Sequence, residues 1–163
     1  MNFSHFLFDK RIHRAVNTAG YSVPTPIQQD AIPLVAEGHD VLGIAQTGTG
    51  KTAAFMLPIL QKLVSGPKRV IRALIIAPTR ELAEQITQAG VDFAKDTGLR
   101  CVSIYGGVNK NRQVAAIKKG AEVVVACPGR LLDHLADGSI DLSGVEVLVI
   151  DEADRMFDMG FLP

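Results

Sequence analysis

Apolar positions along the chain fall into short, nearly unbroken runs at 41–44, 73–77, 101–105, 123–126 and 145–150. Each is of strand length, and continuous rather than alternating apolarity is the pattern of a strand covered on both faces. Between the runs, apolar residues recur at three- and four-residue intervals, which predicts helices at 51 to about 64, 82–93, 114–119 and 131–136. A further helix start is written in Thr25-Pro26-Ile27-Gln28, with Thr as N-cap, Pro at the first helical position and Gln at the third. Ser65-Gly66-Pro67 reads as a loop and Gly138 as a helix stop. Strands alternating with helices predict an α/β fold, a parallel sheet sandwiched by helices. No repeat, low-complexity tract or interdomain linker interrupts the pattern.

Two strand ends carry candidate chemistry. Residues 45–52 read AQTGTGKT, the phosphate-cradle pattern G-x-x-x-x-G-K-[ST] with Ala45 in place of its leading Gly. Gly48 and Gly50 let backbone N–H groups turn inward on an anion. Thr47 and Thr49 complete the loop expected to bind the nucleotide. Lys51 adds charge for the outer phosphates, and the Thr52 hydroxyl is the expected Mg2+ ligand. The helix beginning at Lys51 aims its N-terminus at the same anion. The plainer reading is a Gly/Thr-rich turn with a solvated lysine.

Asp151-Glu152-Ala153-Asp154 follows the last apolar run. Open parallel sheets bind ligands at the C-terminal ends of their strands. Asp151 suits Mg2+, held through water. Glu152 suits orienting and deprotonating an attacking water, since phosphoryl transfer rests on positioning and charge stabilisation. The plainer reading is an acidic turn. Both segments in this order predict a nucleotide triphosphatase using Mg2+, with Glu152, Asp151 and Lys51 as catalytic residues.

Composition narrows the class. The 163 residues are 47% hydrophobic, enough for one sizeable core, with no apolar run long enough to span a bilayer. The start shows no signal-peptide pattern. Two cysteines, Cys101 and Cys127, form no metal-ligand spacing, which favours a reduced cytoplasmic setting. The four histidines fall in no motif and are taken as incidental. Net charge is zero, but residues 66–130 hold eleven Lys and Arg against five Asp and Glu, and the remainder carries the opposite excess. A basic stretch suits a phosphate-contacting surface; solvated helix faces are the alternative.

Read together, these segments resemble the DEAD-box family of ATP-dependent RNA helicases. The resemblance covers nearly the whole chain. Gly20-Tyr21-Ser22-Val23-Pro24-Thr25-Pro26-Ile27-Gln28 resembles the family's adenine-reading Q motif, and Phe3 stands where the family has an isolated aromatic. Gln28 could pair its amide with adenine, and Phe3 could stack on the ring; capping by Gln28 and packing by Phe3 are the alternatives, and Tyr21 is read as packing. Pro78-Thr79-Arg80-Glu81-Leu82-Ala83, Gly106-Gly107 and Cys127-Pro128-Gly129-Arg130 resemble its RNA-contacting motifs. The resemblance thus implies RNA contacts from Thr79, Arg80, Gly106, Gly107, Pro128, Gly129 and Arg130, made to backbone and with little sequence preference. Cys127 departs from the family's usual Thr, and a thiol is a weak donor. Taken alone, Thr79 is a helix cap, Arg80 a surface charge and Gly106-Gly107 a turn.

The resemblance implies a P-loop, RecA-like domain incomplete at its C-terminus, with residues 1–38 a Q-motif region and 39–163 the partial ATP-binding domain. It places outside these residues a Ser-Ala-Thr motif, a strand between the phosphate-loop strand and the Asp151 strand, and a second RecA-like domain. Asp154, whose usual partner is in that motif, has no assigned role. Three other readings stay open: a DNA translocase, a small-molecule kinase on the same phosphate loop, and a nucleotide-dependent scaffold without turnover.

Overall fold

The computed structural model describes residues 1–160. They divide into two compact units, Met1–Gly66 with Ala89–Leu99, and Pro67–Gln88 with the residues from Arg100 on.

The first unit is helical. A 3-10 turn at Phe3–His5 precedes α1 (Lys10–Thr18), α2 (Pro26–Ala36) and α3 (Lys51–Val64). The Asp9 carboxylate starts α1 by accepting the Arg11 backbone N–H at 2.9 Å. Ile12 and Val16, four apart on one face, are fully buried. Thr25 and Pro26 begin α2 as the sequence predicts. α2 packs on α3, which buries Met56, Leu57, Ile59, Leu60 and Leu63. Tyr21 is a packing residue, its ring edge-on to Phe3 and Phe93 at centroid distances of 5.7 and 5.6 Å.

One predicted strand does not form. Residues 41–44 have no regular structure, and Leu42 and Ile44 are each 89% exposed. Apolar content makes a strand only where a neighbour accepts and donates the ladder hydrogen bonds. Among the described residues, no strand pairs with this segment.

The second unit holds the sheet. Strands β1 (Ala73–Ile76), β2 (Cys101–Ile104), β3 (Val123–Ala126) and β4 (Val147–Ile150) lie in the order β2-β3-β1-β4, and every pairing is parallel. Helices α4 (Arg80–Ala94), α5 (Lys110–Lys118), α6 (Pro128–Ala136) and α7 (Ala153–Asp158) follow the strands in turn. Leu74, Ile104, Val124 and Ala126 from the sheet pack with Leu131 of α6 and Ile117 of α5. The register sets Ile76 against both Ala126 and Ile150, and Ile104 against Ala126. The last residues of all four strands are therefore level, and the four following loops leave from one edge.

At the opposite strand ends, Glu122 is 2% exposed. Its two carboxylate oxygens accept the backbone N–H groups of Arg69 and Arg100 at 2.7 and 2.8 Å. A buried carboxylate is tolerable there because fixed backbone donors replace water. β4 closes one side of the sheet, with Leu148 and Ile150 on a solvent-open face.

Candidate functional site

The phosphate-loop residues lie in the first unit. Gly48 and Gly50 take the left-handed conformation, at φ of +82° and +84°, and Gly50 is the N-cap of α3. The Lys51 ammonium donates to the Ala45 carbonyl at 2.7 Å, so the lysine folds back over its own loop. The Thr49 hydroxyl donates to Gln46 O at 2.6 Å. Thr47 and Gly48 are exposed, while Lys51 and Thr52 are half-buried at the helix start.

The start of α2 is stitched to this loop. Gln28 is 1% exposed; its Nε2 donates to Gly50 O at 3.1 Å and its Oε1 accepts the Thr25 N–H at 3.0 Å. The Thr25 hydroxyl donates to Thr49 O at 2.7 Å. The left-handed φ favours glycine at Gly50, and a Cβ there would displace the Gln28 amide at Nε2. The amide thus fills the capping role that the sequence offers. Phe3 is 3% exposed, with Phe6 and Tyr21 both edge-to-face on it at 5.7 Å.

The carboxylates stand at the end of β4. The Asp151 N–H donates to Ile76 O at 2.9 Å, carrying the ladder one residue past the strand. Asp151 Oδ1 accepts the Glu152 N–H at 2.9 Å. Glu152 has φ 49° and ψ 49°, a left-handed conformation that a non-glycine residue adopts at a cost of about 1–2 kcal/mol. Its carboxylate pairs with Arg155 at 3.3 Å. Among the described residues, no group of three His, Cys, Asp or Glu could hold a metal by itself. The Thr52 hydroxyl in the first unit and the Asp151 carboxylate in the second are each hard oxygen donors, the type that Mg2+ takes alongside phosphate oxygens.

The three segments expected to contact RNA leave from the level strand ends of the second unit. Thr79 caps α4, accepting the Leu82 N–H at 3.3 Å. Arg80 lies with its guanidinium carbon 4.8 Å above the centre of the Tyr105 ring. Its Nε donates to Glu84 Oε1 at 3.1 Å, and the Tyr105 hydroxyl donates to the same oxygen at 2.7 Å. The Tyr105 hydroxyl and Arg80 hold the Glu84 carboxyl below its usual range, and Glu84 raises both Arg80 and Tyr105. Gly106 and Gly107 follow, with Gly107 at φ +81°. Gly129 is exposed and Pro128 half-buried at the start of α6.

Arg130 is held by partners within the second unit. Its side chain is 13% exposed. Nη1 donates to Val108 O and to Gln113 Oε1, both at 3.1 Å. Cys127 is the N-cap residue of α6, yet its side chain makes no cap hydrogen bond. Burial, then the nearby Glu81, push its thiol up. Burial and Glu122 push the Cys101 thiol up to about 12, so neither cysteine is poised as a nucleophile. His134, read as incidental, is fully buried and bonded on both ring nitrogens. Its signal in sequence was faint: a polar residue three after Leu131 on the apolar face of a helix.

Among the described residues, no helix is long and apolar enough to cross a membrane. The family model for the DEAD/DEAH box helicase matches residues 25–163. The ATP-dependent RNA helicase CshA of Listeria monocytogenes is 48% identical over 98% of this chain and 31% of its own length. The ATP-dependent RNA helicase DeaD of Escherichia coli is 50% identical over 93% of this chain and 24% of its own length. Among solved structures, the RNA helicase Prp28 of Chaetomium thermophilum bound to ADP aligns with a TM-score of 0.91 and 42% identity, over 98% of this chain and 40% of that one. A hypothetical ATP-dependent RNA helicase of Sulfolobus tokodaii aligns at 0.86 and 39% identity, over 94% of this chain and 44% of that one. The chain spans less than a third of the curated relatives it matches.

Proposed function

The chain belongs to the DEAD/DEAH box helicase family, and from that premise we propose that it is the N-terminal ATP-binding part of an ATP-dependent RNA helicase. In the longer protein it separates short duplexes or remodels RNA–protein complexes in the cytoplasm, together with a second RecA-like domain. The observation that carries the reading is the link between Gln28 and Gly50 O. It ties the segment resembling an adenine reader to the loop that resembles a phosphate cradle, so that one nucleotide can be sensed at base and phosphate together. Residues 1–38 serve as the Q-motif region and 39–163 as the partial ATP-binding domain.

Each residue then has a task that its chemistry suits. Gln28 reads adenine when ATP competes for its amide, and Phe3 supports that end of the segment. Thr47, Gly48, Thr49 and Gly50 present backbone N–H groups to the phosphates. Lys51 exchanges the Ala45 carbonyl for a phosphate oxygen, a stronger charge-assisted partner. Thr52 and Asp151 would hold Mg2+, which supplies charge neutralisation on the phosphates when bound. Glu152 orients a water and accepts its proton. RNA lies along its sugar–phosphate backbone against Thr79, Arg80, Gly106, Gly107, Pro128, Gly129 and the α6 N-terminus beside Arg130.

The test is ATP hydrolysis by the full-length protein with and without RNA. RNA stimulation is expected, with retained nucleotide binding but almost no turnover in Glu152→Gln. Arg80→Ala should weaken RNA binding for every sequence and flatten its salt dependence. Equal stimulation by DNA would favour a translocase. Phosphate transfer to a metabolite without RNA stimulation would favour a kinase, and nucleotide binding without turnover a scaffold.

A further inference from the structure

We propose that Gln113, held in place by His134, is a positioning residue that locks together two of the loops at the level strand ends, those carrying Gly106-Gly107 and Pro128-Gly129-Arg130. The inference rests on the reading of those loops as the RNA-facing edge, and all the groups concerned lie in the second unit.

Gln113 on α5 is 7% exposed and makes three hydrogen bonds, one to the residue after β2 and two to α6. Its Nε2 donates to the Tyr105 carbonyl at 2.9 Å, directly before Gly106. A carbonyl can only accept, so this bond fixes which end of the amide is nitrogen. Oε1 is thereby turned to Arg130 Nη1 and to His134 Nε2, each at 3.1 Å. Because Oε1 can only accept, His134 Nε2 must carry the proton. Its Nδ1 is left to accept from the Ser139 hydroxyl at 2.7 Å. Burial, helped by the neighbouring Lys110 and Arg130, favours that neutral ring. The histidine therefore acts as an oriented donor that pins Gln113 from behind.

Arg130 completes the clamp. The same Nη1 that meets Gln113 also donates to Val108 O at 3.1 Å, one residue past Gly107. The Gly106-Gly107 pair is thus gripped on both sides, at Tyr105 O by Gln113 and at Val108 O by Arg130. Without such a grip, two adjacent glycines would make the most mobile loop on this edge. A loop that must wait for RNA to order it binds more weakly than one already in place. Arg130 serves the edge in this way by shaping its neighbour, with its guanidinium turned away from solvent.

The experiment compares full-length wild type with Gln113→Met and His134→Gln. Gln113→Met keeps the volume and removes all three bonds. KM for single-stranded oligouridine in the ATPase assay should rise about tenfold, equivalent to about 1.4 kcal/mol. KM for ATP and kcat at saturating RNA should stay within about twofold of wild type. Amide hydrogen exchange without RNA should quicken at 106–109 and 128–130 and not across β1 or β3. His134→Gln keeps a donor toward Gln113 and should retain most of the RNA affinity, which a volume effect alone would not predict. If loop exchange and KM for RNA are both unchanged in Gln113→Met, the inference is overturned. If KM for ATP and kcat fall along with RNA binding and exchange rises everywhere, Gln113 supports the fold and positions nothing. Exchange also separates the two readings. Wild type that ignores RNA, while Gln113→Met still loosens only those loops, refutes the RNA function and upholds the clamp.

Discussion

At Glu152 the chemistry proposed above and the stability of the backbone stand in opposition. Its backbone sits where glycine rests without strain, and it is one of two non-glycine residues with positive φ among those described. Glu152→Gly should therefore raise thermal stability by about 1 kcal/mol, less what the exposed Arg155 pair contributes, while ending ATP hydrolysis in the full-length protein. A melting curve and a turnover assay on the same preparation check both halves. His134 makes a prediction about pH. Its ring pKa is lowered in the fold by burial and by Lys110 and Arg130, against Asp137 and Asp133. The unfolded chain then takes up the proton first. Its contribution to stability is complete above an ordinary histidine pKa of about 6.5 and is lost as pH falls toward the lowered value. Urea midpoints at pH 7.5 and 5.5 should differ more for wild type than for His134→Gln. The sequence pointed to Lys51, Asp151 and Glu152 because their meaning lies in neighbours one to six residues away. It gives little sign of Gln113 or His134, whose contact with each other spans 21 residues and joins two helices that the sheet brings together.

At the scale of elements, the apolar runs located β1, β2 and β3 to within a residue, and α3 at both ends. Apolar periodicity marks the helix starts late. α4, α5 and α6 begin at Arg80, Lys110 and Pro128, ahead of the first apolar residues used to recognise them. Their caps, Thr79, Asn109 and the Cys127 backbone, were the better signal. α1 lies outside the elements the apolar pattern predicts, although Asp9 with Ile12 and Val16 spells a cap and a stripe. The strand at 41–44 failed for the opposite reason, since apolar content says nothing about whether a partner strand exists. The α6 start also carries a prediction. Cys127 has extended backbone, φ −85° and ψ 142°, with no side chain on the cap. Cys127→Thr should supply the missing acceptor and stabilise the protein by about 1 kcal/mol. A tighter grip on RNA in the same variant would be separate evidence that position 127 faces phosphate. A rise in melting temperature with unchanged RNA affinity would assign it to the helix alone.

For the molecule as a whole, binding and work are expected to part company. The 163-residue chain holds the loop and the carboxylates, but in the proposed mechanism strand separation needs closure of two bodies on nucleotide. A preparation shown by mass to end at Pro163 should leave a short RNA duplex intact with ATP and magnesium, and ATP-dependent separation in that assay would overturn the two-domain mechanism. The level register of the sheet has a consequence of its own. Neighbouring strands are about 4.8 Å apart, so the loops after β2, β3 and β1 are spread over only about 10 Å of edge. That spacing is set by backbone ladders and cannot be altered by exchanging side chains. In the proposed RNA complex it would act as a ruler laid along the nucleic acid and limit this edge's footprint to a few phosphates. Oligonucleotides longer than that footprint would gain affinity from this edge only by offering more places to sit, in proportion to their number of registers.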